Sequence, residues 1–116
     1  MKIILCGACG RMGKNVAETA AERNVTIAAG VDVIAAPAPF PLYSNLADVT
    51  EQADAVVDFS SASALESVLA FCKGRAIPVV LAATGYTEQD LARIRKASET
   101  IAVFKTGNLS VGINLL

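Results

Sequence analysis

Two periodicities alternate along the chain. Residues 2–6 (KIILC) form an unbroken apolar run rich in branched side chains, the mark of a strand buried on both faces. Over residues 11–22, Met12, Val16, Ala17, Ala20 and Ala21 recur at helical spacing. Lys14, Glu18, Glu22 and Arg23 fall on the other faces, so a helix is predicted there. A second strand is expected over 25–31 (VTIAAGV), ending at Asp32, a third over 54–59 (DAVVDF) and a fourth over 77–82 (IPVVLA). A fifth is expected over 101–105 (IAVFK). Between the third and fourth strands, Ser63-Ala-Leu-Glu66 has capping-box form, and a helix LESVLAFCK is expected to end at Gly74. Gly85 breaks the fourth strand. Thr87-Glu-Gln-Asp90 then starts a helix whose apolar side carries Leu91, Ile94 and Ala97.

Strand and helix alternating in this way predict an α/β fold: a doubly wound, Rossmann-like parallel sheet of about five strands with flanking helices. Residues 33–45 stand apart. They hold Pro37, Pro39 and Pro41, which suit neither a helix interior nor a central strand, and the segment is expected to be a surface connection. A helical turn is expected at Leu46–Thr50.

Length and composition narrow the class. The 116 residues suit one compact domain, and a hydrophobic content of 53% is ample for a core. A net charge of −1 offers no basic face for nucleic acid and no polybasic segment for a membrane surface. No apolar run approaches the roughly 18 residues of a membrane-spanning helix, and the short IILC run is no signal peptide. Cys6-Gly-Ala-Cys9 has the form of a redox or metal CxxC. With no second ligand pair and no histidine, it reads instead as reduced thiols of a cytoplasmic protein, with Cys6 in a buried strand and no metal.

Chemistry is sought beyond the carboxyl ends of the strands, where open parallel sheets bind ligands. The segment after the first strand carries Gly7, Gly10 and Gly13. The first glycine permits a sharp turn off the strand, the second a close approach of backbone to a pyrophosphate, the third close packing of helix on sheet. Free amides at the helix start then face the phosphates. The spacing is GxxGxxG rather than GxGxxG, a longer first turn. Asp32 lies nineteen residues beyond Gly13, at the end of the second strand, where a carboxylate can take both hydroxyls of an adenosine ribose. No Gly-Lys-Ser/Thr follows, which excludes a P-loop. Asp32 repels a 2′-phosphate and Val33 supplies no arginine for one, so NADH is favoured over NADPH. Arg11 either swings toward a 2′-phosphate or braces the loop. Asp58 is either a base or a cap of the strand-to-loop turn. Ser60 and Ser61 either touch the cofactor or cap the next helix. Lys73, Arg75, Arg93, Arg95 and Lys96 read as solvent-facing helix charges.

In Gly7-Ala-Cys-Gly-Arg-Met-Gly13, Val31-Asp32-Val33, Val57-Asp58-Phe59-Ser60, Ala83-Thr84-Gly85 and Asn108-Leu-Ser-Val-Gly-Ile-Asn-Leu-Leu116, the chain resembles the dihydrodipicolinate reductases of lysine and diaminopimelate biosynthesis. That resemblance implies an oxidoreductase that transfers hydride from NADH or NADPH to a cyclic dicarboxylate. It implies that Gly7, Ala8, Cys9, Gly10, Arg11 and Met12 hold the pyrophosphate and Asp32 the ribose. Ala82, Ala83 and Thr84 would line the nicotinamide pocket, and Gly107, Asn108, Leu109 and Ser110 would close over it. The family's usual Gly-Thr-Thr-Gly is Ala82-Ala83-Thr84-Gly85 here, adding one methyl and removing one hydroxyl.

The family's substrate domain, with its His-His pair, lysine and Ser-Gly-Thr segment, has no counterpart in these residues. The expectation is therefore a dinucleotide-binding domain over 1–107, with 108–116 as the hinge into a substrate domain. It would hold no catalytic residue of its own and be inactive alone. The full-length enzyme is expected to be a homotetramer and this piece a monomer. A freestanding NAD-binding sensor without catalysis is the alternative.

Overall fold

The computed structural model describes residues 1–8, 15, 16, 18, 19, 22–32, 40–82 and 85–105. Six strands form one parallel sheet: β1 (Lys2–Cys6), β2 (Thr26–Val31), β3 (Leu42–Tyr43), β4 (Ala55–Asp58), β5 (Val79–Leu81) and β6 (Val103–Lys105). Their spatial order is β3-β2-β1-β4-β5-β6. The chain winds outward from β1 in one direction, then returns to β1 and winds outward in the other. The strand order thus reverses at the β1/β4 boundary.

All five expected strands are present, most of them trimmed by a residue or two at their ends. The sixth corrects the expectation for residues 33–45, which do not run as a surface connection throughout. β3 pairs with β2 through Gly30 with Leu42 and Val31 with Tyr43. An edge strand needs ladder partners on one side only. Pro41 has no N–H, yet its carbonyl accepts from Gly30 N–H at 2.8 Å, and the Tyr43 carbonyl accepts from Asp32 N–H at 3.0 Å.

Two helices cover one face: α1 (Leu65–Arg75) and α2 (Glu88–Ala97). Ile4, Cys6, Ala29, Val56, Val79 and Leu81 from the sheet pack with Leu65, Val68, Leu69 and Cys72 of α1 and with Ile94 and Ala97 of α2. Ile3 and Leu5, which point to the opposite face, are also buried, so β1 is covered on both sides. Asn15, Val16, Glu18, Thr19 and Glu22 are helical, as predicted for that segment.

Helix ends differ from expectation in an instructive way. The Thr87 capping box is formed: Asp90 N–H donates to Thr87 Oγ1 at 3.1 Å, and Thr87 N–H donates to Asp90 Oδ2 at 2.9 Å. The Ser63 box is not. A 3-10 turn at Ala62–Ala64 takes up the first residues, α1 starts at Leu65, and the Ser63 hydroxyl meets the Ser61 hydroxyl at 2.7 Å instead. Nor does α1 end at Gly74. It runs on to Arg75 and is closed by Ala76 in the left-handed conformation, φ 54°. A 3-10 turn at Leu46–Asp48, capped by Asn45, is the helical turn expected there.

Arg75 is a further correction, because it is not a solvent-facing charge. Its guanidinium donates to the main-chain carbonyls of Val49 and Glu51 and lies 4.4 Å over the Phe71 ring. The Glu51 carboxylate in turn accepts from the Tyr43 hydroxyl at 2.8 and 3.1 Å. This chain of contacts ties the end of α1 to the edge strand β3.

Candidate functional site

The carboxyl ends of β1, β2, β4 and β5 lie level: Cys6 is paired with Val31 on one side and Asp58 on the other, and Asp58 with Leu81. The residues that follow each strand therefore emerge along one edge. Gly7 and Ala8 follow β1, Asp32 follows β2, Phe59 and Ser60 follow β4, and Ala82 follows β5.

Gly7 turns the chain off β1 with φ +79°, a conformation that disfavours any side chain. Its N–H and that of Ala8 both donate to the Val31 carbonyl, at 2.8 and 3.3 Å. A Cβ at position 7 would meet the Phe59 carbonyl carbon at 2.9 Å and the Ser60 nitrogen at 3.0 Å. The turn is thus seated directly on the backbone that follows β4. Asp32 is held at the edge through its own N–H bond to β3.

Two features escaped the sequence. A Cβ at Gly30 would lie 2.4 Å from Phe40 Cε1 and 2.8 Å from Ala8 Cβ. The bare glycine therefore admits the Phe40 ring beside the first residues of the glycine turn. Only the fold brings 8, 30 and 40 together, so no local pattern announces it. The second feature is an open cleft of about 300 Å³ beside the α1 and α2 starts, lined in part by Ser63, Glu66, Thr87, Asp90 and Arg93. Arg93 and Asp90 form an ion pair at 3.4 Å along its wall.

Asp58 is fully buried. Its Oδ1 accepts from Ser60 N–H at 2.8 Å and from the Ser60 hydroxyl, while Oδ2 meets no hydrogen-bond partner among the described residues. Of the two roles open to it, the geometry is that of the turn cap. Ser60 is committed to Asp58 and caps no helix; Ser61 sits at the start of the 3-10 turn without a side-chain cap bond. Burial pushes the Asp58 carboxyl above its ordinary value, opposed by the two bonds from Ser60. Burial likewise raises the Cys72 thiol to about 12 and the Cys6 thiol further, with Asp58 adding to both. Cys6 is thus an inert strand thiol, as expected.

Of the residues singled out from the sequence, Gly7, Ala8, Asp32 and Ala82 are brought to this edge; Ala8 and Ala82 are buried. Cys9, Gly10, Arg11, Met12, Ala83, Thr84, Gly107, Asn108, Leu109 and Ser110 lie outside the described residues, as does the boundary expected between 107 and 108. Among the described residues no group of acidic, cysteine or histidine side chains is placed to hold a metal, and no helix is long and apolar enough to cross a membrane.

A parallel sheet of this order, with a glycine turn at its switch point, defines a Rossmann-like domain. Residues 1–109 match the family model "Dihydrodipicolinate reductase, N-terminus", and the chain belongs to that family. It is 42% identical over 117 residues to the 4-hydroxy-tetrahydrodipicolinate reductase of Caldanaerobacter subterraneus subsp. tengcongensis, covering 100% of this chain and 47% of that protein. It is 41% identical over 120 residues to the enzyme of the same name from Clostridium perfringens strain ATCC 13124, again covering 100% and 47%. The chain spans about half the length of the curated relatives it matches. Among solved structures it resembles the dipicolinate-bound dihydrodipicolinate reductase from Paenisporosarcina sp. TG-14. That match has a TM-score of 0.81 at 20% identity and covers 99% of this chain and 50% of that one. The WlbA dehydrogenase from Thermus thermophilus, in complex with NAD and alpha-ketoglutarate, matches with a TM-score of 0.73 at 11% identity, over 90% of this chain and 40% of that one. At these identities the structural likeness speaks for the fold alone.

Proposed function

We propose that this chain is the cofactor-binding half of a 4-hydroxy-tetrahydrodipicolinate reductase and binds a nicotinamide dinucleotide, NADH in preference to NADPH, along the carboxyl edge of the sheet. The observation that carries this is the Gly7 turn. A positive-φ glycine, seated so closely on the backbone after β4 that no side chain fits and flanked by Asp32 at the end of the neighbouring strand, is the tight turn that a dinucleotide site places at this edge.

Each residue's part is the one that the family resemblance implies. Gly7 and Ala8, continuing through Cys9, Gly10, Arg11 and Met12, hold the pyrophosphate by main-chain amides. Asp32 accepts from both hydroxyls of the adenosine ribose, and its charge disfavours a 2′-phosphate. Ala82, Ala83 and Thr84 floor the nicotinamide pocket, and Gly107, Asn108, Leu109 and Ser110 close over it. The bound dinucleotide supplies the hydride for a cyclic dicarboxylate acceptor. The proton and the carboxylate clamp come from outside these 116 residues, so the chain alone binds without turnover. It works in the cytoplasm, as a monomer in this form and as part of a homotetramer at full length.

Calorimetric titration of the folded chain with NADH and then NADPH tests the proposal. The expected result is saturable 1:1 binding, tighter for NADH. Absence of binding by a folded chain would overturn the site, and NADPH binding more than tenfold tighter would remove Asp32 as the discriminator. Replacing Asp32 by Ser should narrow the gap between the two cofactors.

A further inference from the structure

Among the described residues Asp58 is the one buried carboxylate of the core, and it directly precedes the backbone on which Gly7 is seated. Its side chain accepts twice from Ser60. Its main-chain carbonyl accepts from Ala82 N–H at 2.9 Å, and the next residue, Phe59, donates its N–H to the Cys6 carbonyl at 2.9 Å. Phe59 and Ser60 supply the very atoms on which Gly7 is seated. Asp58 and Phe59 together therefore link the ends of β1, β4 and β5.

We propose that Asp58 is a positioning residue for the dinucleotide: by capping Ser60 it fixes the backbone against which the Gly7 turn is set. A loop of this kind needs some fixed acceptor for the Ser60 amide, and an exposed polar residue could serve. The fully buried Oδ2, without a partner among the described residues, is the unusual part. Buried polar atoms are normally paired, and exceptions cluster where function requires them. The Asp58 carboxyl in turn raises the thiols of Cys6, its neighbour in the sheet, and of Cys72 on α1, and both stay neutral. Among the described residues no charged donor binds it, so the group keeps its acceptor bonds for the turn. Asn is the conservative stand-in: its carbonyl oxygen can cap Ser60 while removing the ionisable group.

The inference rests on the dinucleotide site proposed above, and the test separates the two. NADH affinity is measured by titration of the 116-residue chain and of D58A, D58N, S60A and I101V, at a temperature where circular dichroism shows each to be folded. If the unaltered chain does not bind NADH, the site itself fails. If it binds, D58A should weaken NADH at least tenfold and D58N should stay within threefold. I101V thins the core at a buried residue just before β6, at the amino ends of the strands and away from the carboxyl edge, so it should lower stability and leave NADH affinity unchanged. D58A binding like the unaltered chain, or I101V weakening NADH as much as D58A, would overturn the positioning role. Should D58A not fold, S60A decides: it removes one of the two capping bonds and should weaken NADH threefold or more, and unchanged affinity would overturn the role.

Discussion

Replacing Gly7 by alanine perturbs the site at its narrowest point. The new Cβ would lie 2.9 Å from the Phe59 carbonyl carbon, 3.0 Å from the Ser60 nitrogen and 3.1 Å from the Phe59 oxygen. All three are main-chain atoms, and none can swing aside as a side-chain tip would. Phe59 is bonded to Cys6, and Ser60 is bonded to the buried Asp58. The left-handed backbone at φ +79° adds about 1–2 kcal/mol for a residue with a Cβ. Relieving the overlap by shifting backbone adds roughly 1–3 kcal/mol more. Together these make about 2–5 kcal/mol, a large part of the ~5–15 kcal/mol by which a domain of this size is stable. At roughly 4–8 °C per kcal/mol, Tm should fall by about 10 °C or more. Gly74 provides the contrast. It lies in exposed helix, an added Cβ meets nothing within 4 Å, and G74A should stabilise the chain by about 0.5–1 kcal/mol. Urea unfolding followed by far-UV circular dichroism measures both, and NADH titration of G7A reports on the turn itself. A G7A chain within about 0.5 kcal/mol of the parent, a margin typical of harmless surface changes, and with undiminished NADH affinity, would refute the assignment of this turn.

Three further outcomes follow from the same geometry. G30A should cost roughly 1–3 kcal/mol by overpacking; combining it with F40A should recover part of that loss, because the 2.4 Å clash with the ring disappears while the one with Ala8 remains. The folded chain holds the Asp58 proton to higher pH than the unfolded chain, where it leaves near ~3.9. The stability this contributes is complete below that pH and is lost as pH rises through the folded-state value. The stability of the parent relative to D58N should therefore decline as pH rises above about 4 in urea unfolding series, and a pH-independent difference would contradict it. Cys6 and Cys72, buried and raised in pKa, should resist iodoacetamide at pH 8 in the folded chain and react after denaturation, with mass spectrometry locating the label.

Strands β1, β2, β4 and β5 and the helices between them were legible because these strands contribute to a sheet covered by helices. Strands in that setting are nearly continuous apolar runs, and the runs are visible in one dimension. The glycine turn was legible for a related reason: a positive φ at a strand end excludes side chains, and Gly7 follows directly on KIILC. The Thr87 cap was readable because all its partners lie within one helical turn. Asp32 was readable as the acidic residue at the end of the second strand.

What the sequence alone determined is therefore local: the alternation of elements, the glycine turn, and the buried character of the strands. The tertiary structure decided whatever depends on residues far apart in the chain. It made Leu42–Tyr43 a strand in spite of Pro41, because an edge needs only the acceptors that Pro41 and Tyr43 offer to β2. It turned Arg75 inward onto Val49 and Glu51 rather than outward to water. It set Phe40 against Gly30 and Ala8. It settled Asp58 as the cap of Ser60, since only the meeting of β1, β4 and β5 buries that carboxyl and brings the glycine turn down on the backbone it holds. Periodicity and turn chemistry act within a few residues and can be read from order alone. Register, burial and edge position arise only when distant segments close on one another.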